Sequence, residues 1–163
     1  MEKSGGFDMA KITTASKIVM VAGILLLVDS FLSWQKVCFD TGVLGNICAK
    51  ANAWGGNGGW AGVIMGILLI ILLIWEGTQL AEMPMNLSIG VTPTKGTAYL
   101  GFAVVIFGLL KFIFAITNEG SLGAWIGLVL LIAIGYGSWM KFQEPETIAA
   151  PPASGGSDGG FTA

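Results

Sequence analysis

The sequence predicts an all-α membrane protein in which four helices form an antiparallel transmembrane bundle. Four long apolar stretches, a small charged fraction and the absence of a polar stripe along the most apolar stretch together predict this fold. A bilayer core of about 30 Å requires roughly 20 apolar residues in a helix, and each stretch reaches or approaches that length. We expect spans at about 16–34, 60–80, 97–117 and 121–141.

The composition disfavours a water-soluble fold and several classes of function. Of the 163 residues, 54% are apolar and 11% are charged, which leaves too little polar surface to enclose a soluble core of this size. Residues 63–74 (VIMGILLIILLI) contain no polar side chain, whereas a soluble bundle requires amphipathic helices. The chain has neither histidine nor arginine, and it therefore lacks the commonest metal ligand and the usual phosphate clamp. We expect no metal, no cofactor, no nucleic-acid partner and no enzymatic activity.

The lysines outside the apolar stretches predict the orientation. Cytoplasmic loops of membrane proteins carry an excess of positive charge. Five lysines fall on one side of the predicted spans and two on the other: Lys3, Lys11, Lys17, Lys95 and Lys141 against Lys36 and Lys50. We therefore expect a multi-pass plasma-membrane protein with both termini in the cytoplasm. Segment 1–15 precedes the membrane domain at 16–142, and 143–163 is rich in Pro, Gly, Ala and Ser and is predicted to be disordered.

Both cysteines, Cys38 and Cys48, lie in the loop at 35–59, which the lysine count places outside the cell. Oxidation is permitted there. A bridge would close a short loop and stabilise the folded state by about 3 kcal/mol, because it constrains the unfolded chain. The alternative is two free thiols that never meet, and we expect the disulfide.

All six tryptophans lie within about six residues of an end of a predicted span. Tryptophan prefers the boundary between membrane and water, so we expect interfacial anchors. An alternative for the glycine-rich run at 51–60 (ANAWGGNGGW) is an aromatic patch that receives a ligand or a partner helix. The expected anchors are Trp34, Trp54, Trp60, Trp75, Trp125 and Trp139.

Glycines recur every four residues at the start of the second and fourth spans. Small residues at this spacing allow helix backbones to approach closely, so we expect helix packing at these positions, within one bundle or between copies. The run at 58–63 (GGWAGV) is similar to that at 123–128 (GAWIGL), which fits either two tandem two-helix repeats or chance. The packing glycines are Gly58, Gly62, Gly66, Gly123 and Gly127.

Asp29 in the first span and Lys111 in the third lie at similar predicted depth, about 7 to 9 Å inside the outer boundary. A lone charge at a span centre costs about 2.5 to 3.5 kcal/mol and less near the boundary, so the match suggests an intramembrane ion pair. Three interpretations remain open. In the first, Lys111 snorkels outward while Asp29 reaches headgroup water. In the second, the pair locks two helices together. In the third, the pair binds a proton or cation during transport.

Several runs in the chain also carry a family resemblance: VDSFLSW and LIWEG at the ends of the first two spans, ANAWGG in the loop, LLKFI in the third span and GAWIGLVLLIAIGYGSWMKFQE in the fourth. Over residues 18–144 the chain resembles a group of uncharacterised four-span membrane proteins found in actinobacteria. The resemblance implies a four-span fold and a membrane location. It assigns no activity and no functional residue.

The functional hypothesis is a non-enzymatic accessory or scaffold subunit that acts through helix contacts, in the lipid bilayer, with a membrane-protein partner or as a homo-oligomer. No proton relay, polar pore lining or catalytic set is visible in the sequence, and elimination therefore favours this role. The alternative is a small oligomeric transporter or channel that uses Asp29 and Lys111 at the mouth of its path.

Overall fold

The computed structural model describes residues 13–40, 42, 45–81, 92–117 and 120–144. The predicted cytoplasmic segment before residue 13 and the predicted disordered tail after residue 144 lie outside the described residues. The elements follow in the order α1 (Thr14–Asp29), β1 (Ser33–Asp40), β2 (Asn46–Asn52), α2 (Gly59–Leu80), α3 (Pro93–Ile116) and α4 (Leu122–Gln143).

The described helices pack side by side, and each runs antiparallel to the next. Gly101 and Gly108 of α3 lie beside Ser138 and Leu131 of α4, which fixes opposite directions for these two helices. α1 packs on α2 and α4, and α3 packs on the same two helices. α1 and α3 therefore lie across the diagonal of the bundle. The prediction of an antiparallel helical arrangement is confirmed for these residues.

The helices differ in their capacity to cross a membrane. α2, α3 and α4 are each long and apolar enough to do so. α1 has 16 residues, which at about 1.5 Å per residue gives a length of about 24 Å. This is shorter than the bilayer core of about 30 Å. Four membrane crossings therefore stay a prediction.

The first helix ends earlier than the predicted boundary at residue 34. α1 stops at Asp29, and its last carbonyl groups find partners other than a further helical turn. The Ser30 hydroxyl donates to the Leu27 carbonyl oxygen at 2.6 Å, and the Trp34 indole donates to the Asp29 carbonyl oxygen at 3.1 Å. The chain then turns, and Trp34 belongs to a strand.

The loop predicted at 35–59 contains a β-hairpin, so the expectation of an all-α fold needs correction. β1 and β2 pair antiparallel, and Cys38 lies directly opposite Cys48. The two cysteines form a disulfide, which confirms the predicted bridge. Gly42 and Gly45, between the strands, have φ angles of 66° and 78°, a left-handed conformation that glycine adopts without steric cost.

Apolar side chains fill the middle of the bundle. Every helix contributes, and the fully buried members pack as one cluster. Buried polar side chains lie towards the two ends of the bundle, at the hairpin and near the last turn of α2. The central layer consists of Val19, Leu26, Met65, Leu69, Leu72, Val104, Leu131 and Ile134.

The glycines of α2 make room for the chain that follows the hairpin. The nearest atoms to a methyl group placed on Gly62 would belong to the Ala53 backbone carbonyl, and those to a methyl on Gly66 would belong to the Trp54 ring. The expected helix packing at these two positions is therefore wrong. A loop, and not a second helix, lies against the face of α2 that carries Gly62 and Gly66.

The same correction applies to α4. A methyl on Gly123 would meet the Ser33 carbonyl oxygen, and a methyl on Gly127 would meet the Trp34 ring. Gly58 is different, because its neighbour is the Phe114 ring of α3. These close contacts lie within the chain. The space beside the glycines is therefore already occupied by the chain itself and is closed to a partner helix. The tandem repeat stays a prediction.

We predict that Gly62→Ala destabilises the protein by about 1 to 3 kcal/mol, because the new methyl meets a backbone carbonyl that cannot rotate away. Gly77→Ala, in the same helix, is the matched control. A methyl there meets nothing within 4 Å, and alanine is favoured over glycine in a helix by about 0.5 to 1 kcal/mol. Titration with a denaturing detergent measures both. Equal stability of the two variants would contradict the described packing.

Candidate functional site

Polar groups at one end of the bundle attach the hairpin to the helices. They come from the end of α1, from β1, from the chain between β2 and α2, and from α3. We call this set the hairpin dock. It consists of Ser30, Trp34, Gln35, Trp54, Asn57 and Lys111.

Lys111 is the charged centre of the hairpin dock. Its side chain is 0% exposed, and a buried ammonium group is costly unless hydrogen bonds replace its water. Its Nζ donates to the carbonyl oxygens of Gly55 at 2.7 Å and Asn57 at 2.9 Å. Hydrogen bonds from an ionised donor are about twice as strong as neutral ones. Lys111 therefore fastens the segment before α2 to α3.

Gln35 of β1 holds the same segment from the other side. Its amide nitrogen donates to the Asn57 carbonyl oxygen at 2.8 Å and to the Phe114 carbonyl oxygen at 3.3 Å. Its amide oxygen accepts from the Asn57 backbone N–H at 3.0 Å. The side chain is 3% exposed. One buried amide thus joins the strand, the loop and α3.

Two tryptophans attach the hairpin to the end of α1. The Trp54 indole donates to the Ser30 hydroxyl at 2.9 Å, and the Trp34 indole donates to the Asp29 carbonyl oxygen. The backbone adds two bonds of 3.1 Å, from Ala53 N–H to the Ser30 carbonyl oxygen and from Ser121 N–H to the Trp34 carbonyl oxygen. Both ends of the hairpin are therefore pinned to helices.

These contacts correct the expected role of Trp34. Its side chain is fully buried, so it is a core residue and not an interfacial anchor. Trp54 is half-buried, with its ring on α2. The interfacial role of the other four stays a prediction: Trp60 and Trp125 lie in the first turns of α2 and α4, Trp75 and Trp139 near the opposite ends, and all except the half-buried Trp75 are exposed.

The structure does not form the predicted ion pair between Asp29 and Lys111. The lysine is bonded to loop carbonyls, and neither carboxylate oxygen of Asp29 accepts a hydrogen bond from any described residue. The physical reason is the diagonal placement of α1 and α3. The snorkelling alternative for Lys111 is also wrong, because its ammonium group is buried among protein atoms. Asp29 is 3% exposed and lies beside Trp34 and Gly127.

A second polar cluster, which the sequence did not predict, lies at the other end of the bundle. Glu76 of α2 is fully buried and accepts from the Thr97 hydroxyl at 2.6 Å. Lys141 of α4 lies with its Nζ 4.0 Å from the same carboxylate oxygen and 3.9 Å from Glu144. The feature of the sequence that points to this cluster is Glu76, an acidic residue within an apolar span. Lys141 was assigned to the cytoplasmic surface instead.

The fold and the two clusters define a class: an α-helical protein with three helices apolar enough to cross a membrane and a disulfide-linked hairpin at one end. Within the described residues, no group of three or more Asp, Glu or Cys side chains could hold a metal ion. Comparisons with family models, with curated proteins and with solved structures find no match to this chain.

We predict that Lys111→Met destabilises the protein by about 2 to 4 kcal/mol, because two hydrogen bonds from an ionised donor are lost. The Gly55 carbonyl oxygen loses this donor, and the Asn57 carbonyl oxygen keeps only the Gln35 amide. Methionine keeps the apolar stem, so lost packing contributes little. Asp29→Asn is the control, since it breaks no side-chain hydrogen bond to a described residue and removes the cost of burying a charge.

Titration with a denaturing detergent measures the free energy of unfolding of both variants. We expect the Asp29→Asn change to be clearly smaller than the Lys111→Met change. Equal losses that disappear in the double variant would restore the ion pair and contradict the arrangement described above.

Proposed function

We propose that this chain is a four-span plasma-membrane protein that serves as a non-enzymatic accessory subunit and presents its β-hairpin to a partner outside the cell. The hairpin dock is the observation that carries the proposal. Groups at the end of α1 and at the start of α4, together with the buried Lys111 of α3, hold one short hairpin in place. Such a fixed attachment suits an element that another molecule must recognise in a single orientation.

The exposure of the hairpin supports this role. The base of the hairpin is buried at Trp34 and Gln35, whereas β2 is exposed from Asn46 to Lys50. The disulfide between Cys38 and Cys48 ties the exposed parts of the two strands together. The hairpin is thus rigid at its base and cross-linked further out, with its surface open to contact.

The glycine stripes argue for contact through the hairpin and not through the helices. Helix interfaces within membranes are enriched in small residues, but Ala53, Trp54 and Trp34 already occupy the space beside Gly62, Gly66 and Gly127. The proposal therefore keeps the accessory role expected from the sequence and changes the surface that performs it.

The apolar middle of the bundle argues against the transporter or channel alternative. A path for ions needs polar groups or water at intervals across the membrane. Between the hairpin dock and the Glu76 cluster, the buried layer of the described residues is apolar. Lys111, one of the two residues assigned to such a path, is engaged by loop carbonyls.

The membrane placement rests on three long apolar helices and on the packing of α1 against two of them. Because α1 runs antiparallel to α4 and ends at the hairpin, four crossings put both termini on one side and the hairpin on the other. The lysine distribution assigns the cytoplasm to the termini. The disulfide fits an exported hairpin.

We predict that a membrane-impermeant thiol reagent labels Cys38 and Cys48 in intact cells only after reduction, because both sulfurs are bridged and outside. Labelling is measured by the mass shift of the purified protein. The control is a Cys38→Ser/Cys48→Ser variant, which should remain unlabelled. Labelling without reduction contradicts the bridge in the cell. Labelling that requires lysis as well as reduction contradicts the orientation.

We predict that a photo-cross-linking residue at Ile47 yields one discrete protein adduct in native membranes, since this side chain is 56% exposed on β2. The matched control is Val129, 65% exposed on α4, which should yield lipid adducts only. Mass spectrometry identifies the products. A discrete protein adduct from position 129 and none from position 47 would contradict presentation through the hairpin.

A further inference from the structure

We propose that Lys36 and Lys50 bind the phosphate headgroup of an anionic phospholipid, with its acyl chain lying along α4. Lys36 in β1 lies directly opposite Lys50 in β2. Directly paired residues of an antiparallel ladder share one face and have Cβ atoms about 4.5 to 5.5 Å apart. The hairpin therefore places two ammonium groups side by side.

Two like charges at such a position repel each other and destabilise the ladder. Within the described residues, neither lysine forms an ion pair with a carboxylate, and both side chains are exposed. An anion between them would turn this repulsion into attraction. A phosphate group fits, because its several oxygens accept hydrogen bonds from two lysines at once.

The two lysines border a groove between the hairpin and the start of α4, with a volume of about 340 Å³. Its lining combines polar lysine and serine side chains with apolar leucine and isoleucine side chains, and Leu122 is 77% exposed. The apolar surface continues along one face of α4, since Leu122, Ile126 and Val129 are spaced four and three residues apart and are all exposed. The groove is lined by Leu32, Ser33, Lys36, Lys50, Ser121, Leu122, Gly123 and Ile126.

The combination selects a lipid over a free anion. A soluble phosphate would contact the lysines and leave the apolar face of α4 uncovered, whereas a phospholipid would cover both. The geometry also agrees with the bilayer, because the groove lies where α4 begins and its apolar face runs towards the middle of the helix. An anionic headgroup is preferred over a zwitterionic one, since a choline group would bring a third positive charge to the pair.

The test uses the full-length protein in a neutral detergent and native mass spectrometry with added phosphatidylglycerol or phosphatidylcholine. We expect phosphatidylglycerol to bind more tightly, and Lys36→Gln/Lys50→Gln to weaken that binding about 30-fold, from about 1 kcal/mol for each lysine. Lys36→Arg/Lys50→Arg should retain it. Lys17→Gln removes an exposed lysine at the opposite end of the bundle and should have no effect.

Inorganic phosphate and glycerol phosphate separate the two sources of the anion. Neither should stabilise the protein against heat at concentrations where phosphatidylglycerol does. An intact disulfide in each variant, seen on non-reducing gels, checks that the hairpin has formed. Undiminished phosphatidylglycerol binding by the double glutamine variant would overturn the proposal. Equal stabilisation by glycerol phosphate would assign the site to a soluble anion and would also overturn it.

Discussion

The buried ammonium group of Lys111 constrains the rest of the structure. A charge removed from water needs partners, and Lys111 finds them in the carbonyl oxygens of Gly55 and Asn57. Hydrogen bonds to a charged group contribute about 1.5 to 3 kcal/mol each. Two such bonds are a substantial fraction of the free energy of unfolding of a typical domain. The loop must therefore lie on α3. Once it does, Trp54 and Gln35 reach their own partners.

The same constraint explains why the glycines stand at the starts of α2 and α4. Ala53 of the attached loop lies against α2, and the buried Trp34 ring lies against α4. Both approaches are close, and side chains on Gly62 or Gly127 would prevent them. Lysine, glutamine, tryptophans and glycines thus act as one cooperative set that attaches a polar hairpin to an apolar bundle.

The sequence predicted features that depend on composition along the chain, such as helices close to the expected 60–80 and 121–141 and the disulfide between Cys38 and Cys48. It could not predict contacts whose partner is backbone, because the carbonyls that bind Lys111 carry no residue-specific signal. Matched depth suggested Asp29 as the partner, but depth says nothing about the diagonal placement of α1 and α3. Trp34 was misplaced because tryptophan occurs both at membrane boundaries and in buried cores.

Hydrogen exchange of individual backbone amides, in a mild detergent, tests the attachment of the hairpin most directly. The Ala53 and Ser121 N–H groups lie outside the helices and donate to Ser30 and Trp34 carbonyl oxygens. We expect their protection to approach that of the helical amides around Leu69 and to fall selectively in Lys111→Met. Exchange of both amides as fast as in an unfolded peptide, while the helices stay protected, would contradict an attached hairpin.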